Sequence, residues 1–214
     1  MTLPDTVFFP KTVLPLFIFE PRYRQMLGDV LAGGRLFAVA TLAKRPAVGQ
    51  TEFEPPQRIA TAGVVRACQK NENGSSNLLL EGVSRIEILG IVRELPYRMI
   101  RVRPVPDSTE AGIGTLARLR KSLLRAVDLR AKFGQMLPPD LEIAVREIED
   151  PAALCNLLIF AMCRDTSFQQ KALEMTDTAE RLRFTIHRFN ADVEILRLHQ
   201  RLQGRVGDDD IGHN

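Results

Sequence analysis

The sequence has no tryptophan and few residues that could bind a metal ion or form a disulfide. Its three cysteines, Cys68, Cys155 and Cys163, include no CxxC pair, so we expect buried thiols in a reducing compartment. Two of the three histidines, His187 and His199, lie twelve residues apart, which is about 18 Å along a helix and too far for one metal site. We therefore expect no metal and no cofactor.

Long apolar segments are also missing. No run approaches the roughly 20 apolar residues that a membrane-spanning helix needs, and the first residues lack the basic, apolar and small-residue order of a signal peptide. These absences predict a cytoplasmic protein with no membrane partner. The composition, 45% hydrophobic and 26% charged residues in a chain of 214, is typical of a globular protein with one large domain or two small ones.

Catalytic motifs are absent from the sequence as well. The chain has no GxxxxGK[ST] loop to cradle phosphates and no GxSxG elbow to present a nucleophile. The acidic group Glu147, Glu149 and Asp150 falls where two predicted helices meet, and helix capping explains it. We predict no catalytic residue and expect a protein that is not an enzyme.

The net charge of +3 is unevenly distributed. Residues 1–107 hold 14 Lys and Arg against 10 Asp and Glu, a net of +4, whereas residues 108–214 hold 15 against 16, a net of −1. A nucleic-acid interface generally needs a dense basic stripe, and these charges are scattered. Nucleic acid is therefore not the expected partner.

The first half has the pattern of a β-sheet interrupted by one helix. The turn-forming residues 71–76 predict a hairpin, and Pro21 suits the first turn of a helix whose apolar face ends at Gly33. Short apolar or alternating segments predict strands at 36–42, 59–70, 77–89 and 91–105.

After residues 104–114, which are rich in proline, glycine and polar residues, the apolar period becomes helical. Three helix starts carry capping signals, at Asp150-Pro151, Ser167-x-x-Gln170 and Asp177-x-x-Glu180. The predicted fold class is α+β, with a β-rich subdomain at 1–107, a helical subdomain at 114–204 and a disordered tail at 205–214.

The last predicted helix carries a heptad pattern at Leu182, Ile186, Phe189, Val193 and Leu196. The pattern fits either a coiled-coil arm that forms a homodimer or ordinary packing inside a helical bundle. Two heptads are short for a coiled coil, which favours packing inside the bundle. A homodimer through this helix stays open as an alternative.

The most distinctive segment runs from Phe8 to Tyr23 and reads FFPKTVLPLFIFEPRY. It resembles the opening of the Lon protease N-terminal domain family, in which an apolar strand, an FP pair, LPL and an IFEPRY run precede a helix. LEGVSRI at 80–86 is similar to a VEGLERV strand of that family, and 150–182 is similar to its C-terminal helical stretch. Lys11 departs from the pattern, because the family commonly has glycine there.

This resemblance implies a β-rich pseudo-barrel of the PUA-like type followed by a helical bundle. It also implies a non-catalytic substrate-recognition module that binds client or unfolded polypeptides, as an adaptor or regulator in protein quality control beside a separate protease. Full-length Lon proteases continue into ATPase and peptidase modules, and we expect this protein to lack both. Because PUA-like folds bind RNA elsewhere, an RNA- or DNA-binding protein is the alternative.

A protein-binding surface is predicted near the amino terminus, where aromatic residues lie among prolines that suit an edge strand. The competing interpretation, favoured for any single residue, has Phe17 and Phe19 facing the core with Ile18 under the helix. Glu20 and Arg22 flank a proline, and an ion pair that fixes this corner is favoured over contact with a partner. The candidate surface comprises Phe8, Phe9, Lys11, Phe17, Phe19, Glu20, Arg22 and Tyr23.

Overall fold

The computed structural model describes residues 1–43 and 55–206, and these form six strands and six helices. The strands are β1 (Thr2–Leu3), β2 (Val13–Ile18), β3 (Leu36–Thr41), β4 (Ile59–Lys70), β5 (Ser76–Arg93) and β6 (Met99–Pro104). The helices are α1 (Pro21–Ala32), α2 (Ile113–Ala131), α3 (Pro139–Glu147), α4 (Pro151–Met162), α5 (Thr166–Glu174) and α6 (Thr178–Val206). The mixed α and β class is confirmed. Of the predicted tail at 205–214, residues 205 and 206 belong to α6, and the rest lies outside the described residues.

The chain divides into two compact units. Unit 1 joins Met1–Ser108 with Asn156–Thr176, and unit 2 joins Thr109–Cys155 with the chain from Asp177 onward. The sheet therefore groups with α5 and the second part of α4, although the sequence pattern assigned both helices to a separate segment. Where independently folding domains begin and end stays a prediction.

The sheet of unit 1 has the strand order β1-β3-β4-β5-β2, and β6 also pairs with β5. β1 and β3 are parallel, and the other pairs are antiparallel. β4 pairs with β5 from Ser76 to Glu87, so β2 and β6 must both lie along the opposite side of β5. β2 pairs with Ser76–Glu81 and β6 with Ile86–Arg93, which makes each an edge strand.

The predicted strand at 91–105 is corrected by the structure. β5 continues past Gly90 to Arg93, with irregular pairing near Leu89 and Val92, and β6 begins only at Met99. Residues 94–98 form the connection between the two strands and contain Pro96, which has no N–H to donate to a ladder. The alternation that suggested one strand comes from residues 100–104 of β6 and does not extend back across this turn.

Buried polar bonds attach α5 to the sheet in unit 1. The side-chain amide of Gln170 donates to the carbonyl of Ile59 at 3.1 Å. Arg85 of β5 is buried, and its guanidinium donates to the carbonyl of Leu173 and to the carboxylate of Asp107, the latter at 2.7 Å. A buried guanidinium is tolerated only when it is paired and hydrogen-bonded, so these contacts fix α5 against the middle of β5.

The helix starts follow most of the capping signals in the sequence. Asp150 and Asp177 accept backbone N–H bonds at the starts of α4 and α6, as predicted. α5 is different, because Asp165 rather than Ser167 is its N-cap. The Asp165 carboxylate accepts from the backbone N–H of Ser167 and of Phe168 at 3.0 and 3.1 Å.

In unit 2, α2 packs against α6. The heptad positions Leu182, Phe189 and Val193 are fully buried, so packing within the unit accounts for this part of the seam. Arg130 of α2 donates to Asp192 of α6 at 2.6 Å and lies 4.4 Å over the ring of Phe189. The same helix exposes further apolar residues toward its end, at Ile195, Leu198 and Leu202.

Candidate functional site

Phe8 and Phe9 do not belong to an exposed surface, which corrects the predicted set. Phe8 is only 1% exposed and Phe9 is 0% exposed, and Phe8 packs in the main hydrophobic cluster of unit 1. The hydroxyl of Thr61 on β4 donates to the Phe8 carbonyl at 2.6 Å. The aromatic pair therefore anchors the entry to β2.

The turn after Phe9 has a left-handed backbone at Lys11, where φ is +65°. This region favours glycine, so the turn keeps the shape that a glycine would give despite the departure at Lys11. The Lys11 N–H donates to the carbonyl of Gly82 at 2.8 Å, and the Gly82 N–H donates to Thr12 at 2.9 Å. A Cβ on Gly82 would lie 2.1 Å from the Phe9 carbonyl oxygen, so only glycine allows this approach.

The structure contradicts one part of the competing interpretation, since Phe17 and Phe19 face outward, and it agrees with the other, since Ile18 is buried in one cluster with Met26 and Leu27 of α1. Ile18 is 2% exposed, whereas Phe17 and Phe19 are 54% and 62% exposed. The pairing register explains this, because Leu14 lies opposite the fully buried Leu80 and so faces the core. Side chains alternate along a strand, so the phenylalanines must then face outward.

We call the exposed apolar residues of this region the β2 surface, and it consists of Val13, Pro15, Phe17, Phe19 and Leu79. The rings of Phe17 and Phe19 stack with centroids 5.8 Å apart and planes at 27°. A groove of about 480 Å³ borders the surface between β2, β5 and β4 and is lined by Pro15, Phe17 and Leu79 together with Ala67 and Cys68. Among the described strands β2 pairs only with β5, so its other edge is open.

Polar side chains flank the β2 surface where β2 leads into α1. Glu20 and Arg22 form an ion pair of 2.8 Å across Pro21, which confirms the predicted corner contact. Arg22 also lies 4.6 Å over the ring of Tyr23. Both charged side chains are partly exposed, so the pair contributes little to stability.

A second charged pair lies at the opposite end of β2. Glu81 pairs in register with Val13 and accepts a hydrogen bond from Arg66 of β4. This bond lowers the pKa of the Glu81 carboxyl below its usual value, and the charge of Lys11 acts in the same direction. The β2 surface therefore has a polar boundary at each end and an apolar middle.

The exposed side chains of the β2 surface are all apolar. The described part of the chain holds no group of three or more His, Cys, Asp or Glu residues placed to bind a metal ion. In the same residues, no helix is both long and apolar enough to cross a bilayer.

The sequence identified part of this surface. It pointed to Lys11, Phe17, Phe19, Glu20, Arg22 and Tyr23, which all lie at or beside the open strand. It missed Val13, Pro15 and Leu79. The exposure of Leu79 could not be predicted, because Leu78, Leu79 and Leu80 are identical in sequence. Only the pairing register shows that Leu79 is the one that faces outward.

The β2 surface and the unpaired edge of β2 together define a domain whose sheet presents an apolar face beside an open edge strand. Solved domains share the fold of this domain. The N-terminal domain of Mycobacterium avium complex Lon protease aligns over 89% of this chain and 96% of its own, with a TM-score of 0.66 and 18% identity. The Lon N-terminal domain protein from Xanthomonas campestris aligns over 85% and 93%, with a TM-score of 0.60 and 18% identity.

The sequence comparisons agree with the fold. The profile of the ATP-dependent protease La (LON) substrate-binding domain family matches residues 1–190, so the chain belongs to this family. Similar proteins include the Lon proteases of Desulfosudis oleivorans, at 24% identity over 98% of this chain, and of Citrifermentans bemidjiense, at 28% over 95%. The chain spans about a quarter of the length of these relatives, 26% and 25% respectively.

Proposed function

We propose that this protein is a non-catalytic module that binds client or unfolded polypeptides through the β2 surface. The observation that carries the proposal is the stacked pair Phe17 and Phe19, exposed beside an open strand edge. Exposed aromatic residues that form one contiguous patch are characteristic of protein-binding sites. Membership of a substrate-binding domain family supports the same function.

Two physical effects favour an extended polypeptide as the ligand. The open edge of β2 can pair with an added strand, although Pro15 removes one backbone donor from it. Apolar side chains of the client can then cover Phe17 and Phe19. Fully burying one such side chain contributes about 1.5–3 kcal/mol, and an unfolded polypeptide offers more of them because a folded protein has already buried most of its large apolar side chains.

The cellular role we propose is that of an adaptor or regulator in protein quality control. Its partner would be a separate protease that degrades the bound client, with this chain supplying recognition and neither ATPase nor peptidase activity. The proposal includes a PUA-like pseudo-barrel in unit 1 and a helical bundle in unit 2. It also includes a homodimer through α6, where Leu198 and Leu202 are exposed.

The decisive experiment measures binding of a chemically denatured, fluorescently labelled protein before and after removal of the aromatic pair. In the double variant Phe17→Ser and Phe19→Ser, affinity should fall at least tenfold, because about 1.4 kcal/mol corresponds to a factor of ten. The matched control is Ile143→Ser, which removes an exposed apolar side chain of α3 in unit 2. Equal affinity of the double variant and the control would refute the proposed site.

A further inference from the structure

A second apolar cavity lies at the part of the sheet that holds β6, and no residue of the β2 surface lines it. Its volume is about 540 Å³, which is within the range of about 300–1,000 Å³ typical of ligand pockets. The lining is largely aliphatic and includes Met26, Val30, Ile86, Ile88, Ile100 and Val102. We call this the β6 cavity.

The β6 cavity is bordered by residues from both open sides of the sheet. Thr2 of β1 and the preceding Met1 line it on one side, and β1 pairs only with β3 among the described strands. Ile100 and Val102 line it from β6, which pairs only with β5 in the same residues. A cavity between two strands that each have one unpaired edge offers backbone donors and acceptors beside an apolar interior, which suits an extended peptide better than a compact molecule.

The strands beside the cavity are basic. Residues 86–104 contain four arginines and two glutamates, a net charge of +2. Along β6 the exposed Arg101 and Arg103 alternate with Ile100 and Val102. Arg103 pairs with Glu87, whereas Arg101 forms no ion pair with any described residue. One face of β6 therefore meets the apolar cavity and the other carries positive charge.

A hydrogen bond across the rim holds the cavity in shape. The Tyr97 hydroxyl donates to the carboxylate of Asp29 on α1 at 2.6 Å, which ties the connection between β5 and β6 to the helix. Arg93 lies 5.6 Å from the centre of the Tyr97 ring. The cavity is thus preformed, and a ligand need not order the hairpin before it binds.

We propose that the β6 cavity binds an extended peptide in which apolar and acidic residues alternate, added as a strand along β6. Apolar side chains of the peptide enter the cavity on the side of Ile100 and Val102, and acidic side chains face Arg101 and Arg103. The period of two along any strand sends successive side chains to these two faces. The inference rests on the proposed function as a polypeptide-binding module and assigns it a second, chemically distinct site.

A nucleic acid fits these observations less well. The arginines could attract phosphates, but the cavity beside them is aliphatic and would desolvate a charged backbone without compensating contacts. Base stacking needs aromatic platforms, and Tyr97 is the single aromatic residue in 86–104. The experiment therefore includes an oligonucleotide as the competing ligand.

The test uses fluorescence anisotropy with two labelled seven-residue peptides that share leucine and valine at alternate positions. One has glutamate between them and the other has lysine. The glutamate peptide should bind at least tenfold more tightly than the lysine peptide. Hydrogen exchange should show slower exchange at the amides of β6 in the complex, with β2 unchanged, because strand addition protects the edge that it pairs with.

Two variants locate the binding site. Val102→Glu places a carboxylate at the mouth of the cavity on a residue that is 39% exposed, and it should weaken binding of the glutamate peptide at least tenfold. Val83→Glu makes the same change on β5 at a residue that is 47% exposed and does not line the cavity, so binding should be unchanged. Circular dichroism and thermal melting establish that both variants are folded.

The outcomes separate this inference from the proposed function. The double variant Phe17→Ser and Phe19→Ser should lose the denatured client but keep the glutamate peptide. The inference is overturned if the two peptides bind equally, if Val102→Glu binds as well as Val83→Glu, or if only a single-stranded oligonucleotide binds in a manner that depends on Val102. In each of these cases, loss of client binding in the double variant would still support the β2 surface.

Discussion

β2 and β6 lie along the same side of β5, one after the other, but they present different chemistry. β2 exposes Phe17 beside Val13 and Pro15 and carries no charge within the strand. β6 exposes Arg101 and Arg103 and turns its aliphatic residues toward a cavity. A single long strand therefore pairs with two edge strands of different surface chemistry, since each edge strand has its own alternation of side chains.

The two edges are also anchored by different residues of β5. Gly82 holds the turn that leads into β2, through backbone bonds with Lys11 and Thr12. Arg85 holds the chain that leaves β6, because its carbonyl accepts from Val105 and its side chain binds Asp107. These anchors lie in the short stretch between the two paired segments, and changing each one should affect one edge more than the other.

The largest effect is expected at the β6 anchor. Arg85→Ala removes a buried guanidinium and its hydrogen bonds to Asp107 and to the Leu173 carbonyl, and two bonds to a charged group at about 1.5–3 kcal/mol each predict a destabilisation of about 3–5 kcal/mol. Urea denaturation measures the loss, and hydrogen exchange should accelerate first in β6. Arg101→Ala is the matched control on an exposed arginine, with an expected change within about 0.5 kcal/mol. Similar losses for both would contradict the anchoring role.

The β2 anchor should show the next largest effect. Gly82→Ala forces a Cβ against the Phe9 carbonyl, so we expect destabilisation of about 1–3 kcal/mol and faster exchange in β2. The control is Gly90→Ala on the same strand, where no atom lies within 4 Å of the added Cβ. If Gly82→Ala were as stable as the control, this result would contradict the close packing of the Phe9 carbonyl against Gly82.

A smaller and opposite effect is expected at the turn itself. Lys11→Gly removes the cost of a left-handed backbone at a residue with a side chain, about 1–2 kcal/mol, but adds entropy to the unfolded state. The net should be a stabilisation of about 0.5 kcal/mol, seen as a higher urea midpoint. Lys11→Ala removes the charge but keeps the backbone strain, so it separates the effect of charge from the effect of strain. An equal rise of the urea midpoint in both variants would attribute the stabilisation to the loss of charge.

The smallest effect concerns the exposed pair beside Val13. Arg66 lowers the pKa of Glu81, so the pair stabilises the folded state above the ordinary Glu pKa, and this stability disappears as the pH falls through the lowered value. Arg66→Ala should therefore lower the urea midpoint slightly at pH 7 and leave it unchanged at pH 2. Lys70→Ala on the same strand serves as the control, and a loss that persists at pH 2 would exclude the Glu81 bond as its cause.

Much of the fold could be predicted from local patterns. α1 begins at Pro21 and ends before Gly33, and β4 occupies residues 59–70, because proline, glycine and turn-forming residues act on their immediate neighbours. Boundaries failed between β5 and β6, because the alternation of residues 100–104 does not extend back across the turn. The N-cap of α5 was also misplaced, since Asp165 and Ser167 are both good caps and only the local backbone decides between them.

The candidate site was harder to predict than the elements. Four phenylalanines lie between residues 8 and 19, and composition could not tell that Phe8 and Phe9 are buried while Phe17 and Phe19 are exposed. The period of β2 allows two assignments of its faces, and they differ by a shift of one residue. The cavity beside β6 had no signal in the sequence at all, because its lining comes from strands and a helix far apart along the chain.

The sequence by itself determined the family resemblance, the mixed α and β class and most helix starts. Each of these depends on residues that are close along the chain, where backbone sterics and capping act. Tertiary structure alone decided which aromatics are exposed, that Asn156–Thr176 groups with the sheet, and that β6 borders a cavity. Those features depend on strand register and on pairing between distant segments, and a one-residue change of register would exchange the buried and exposed faces.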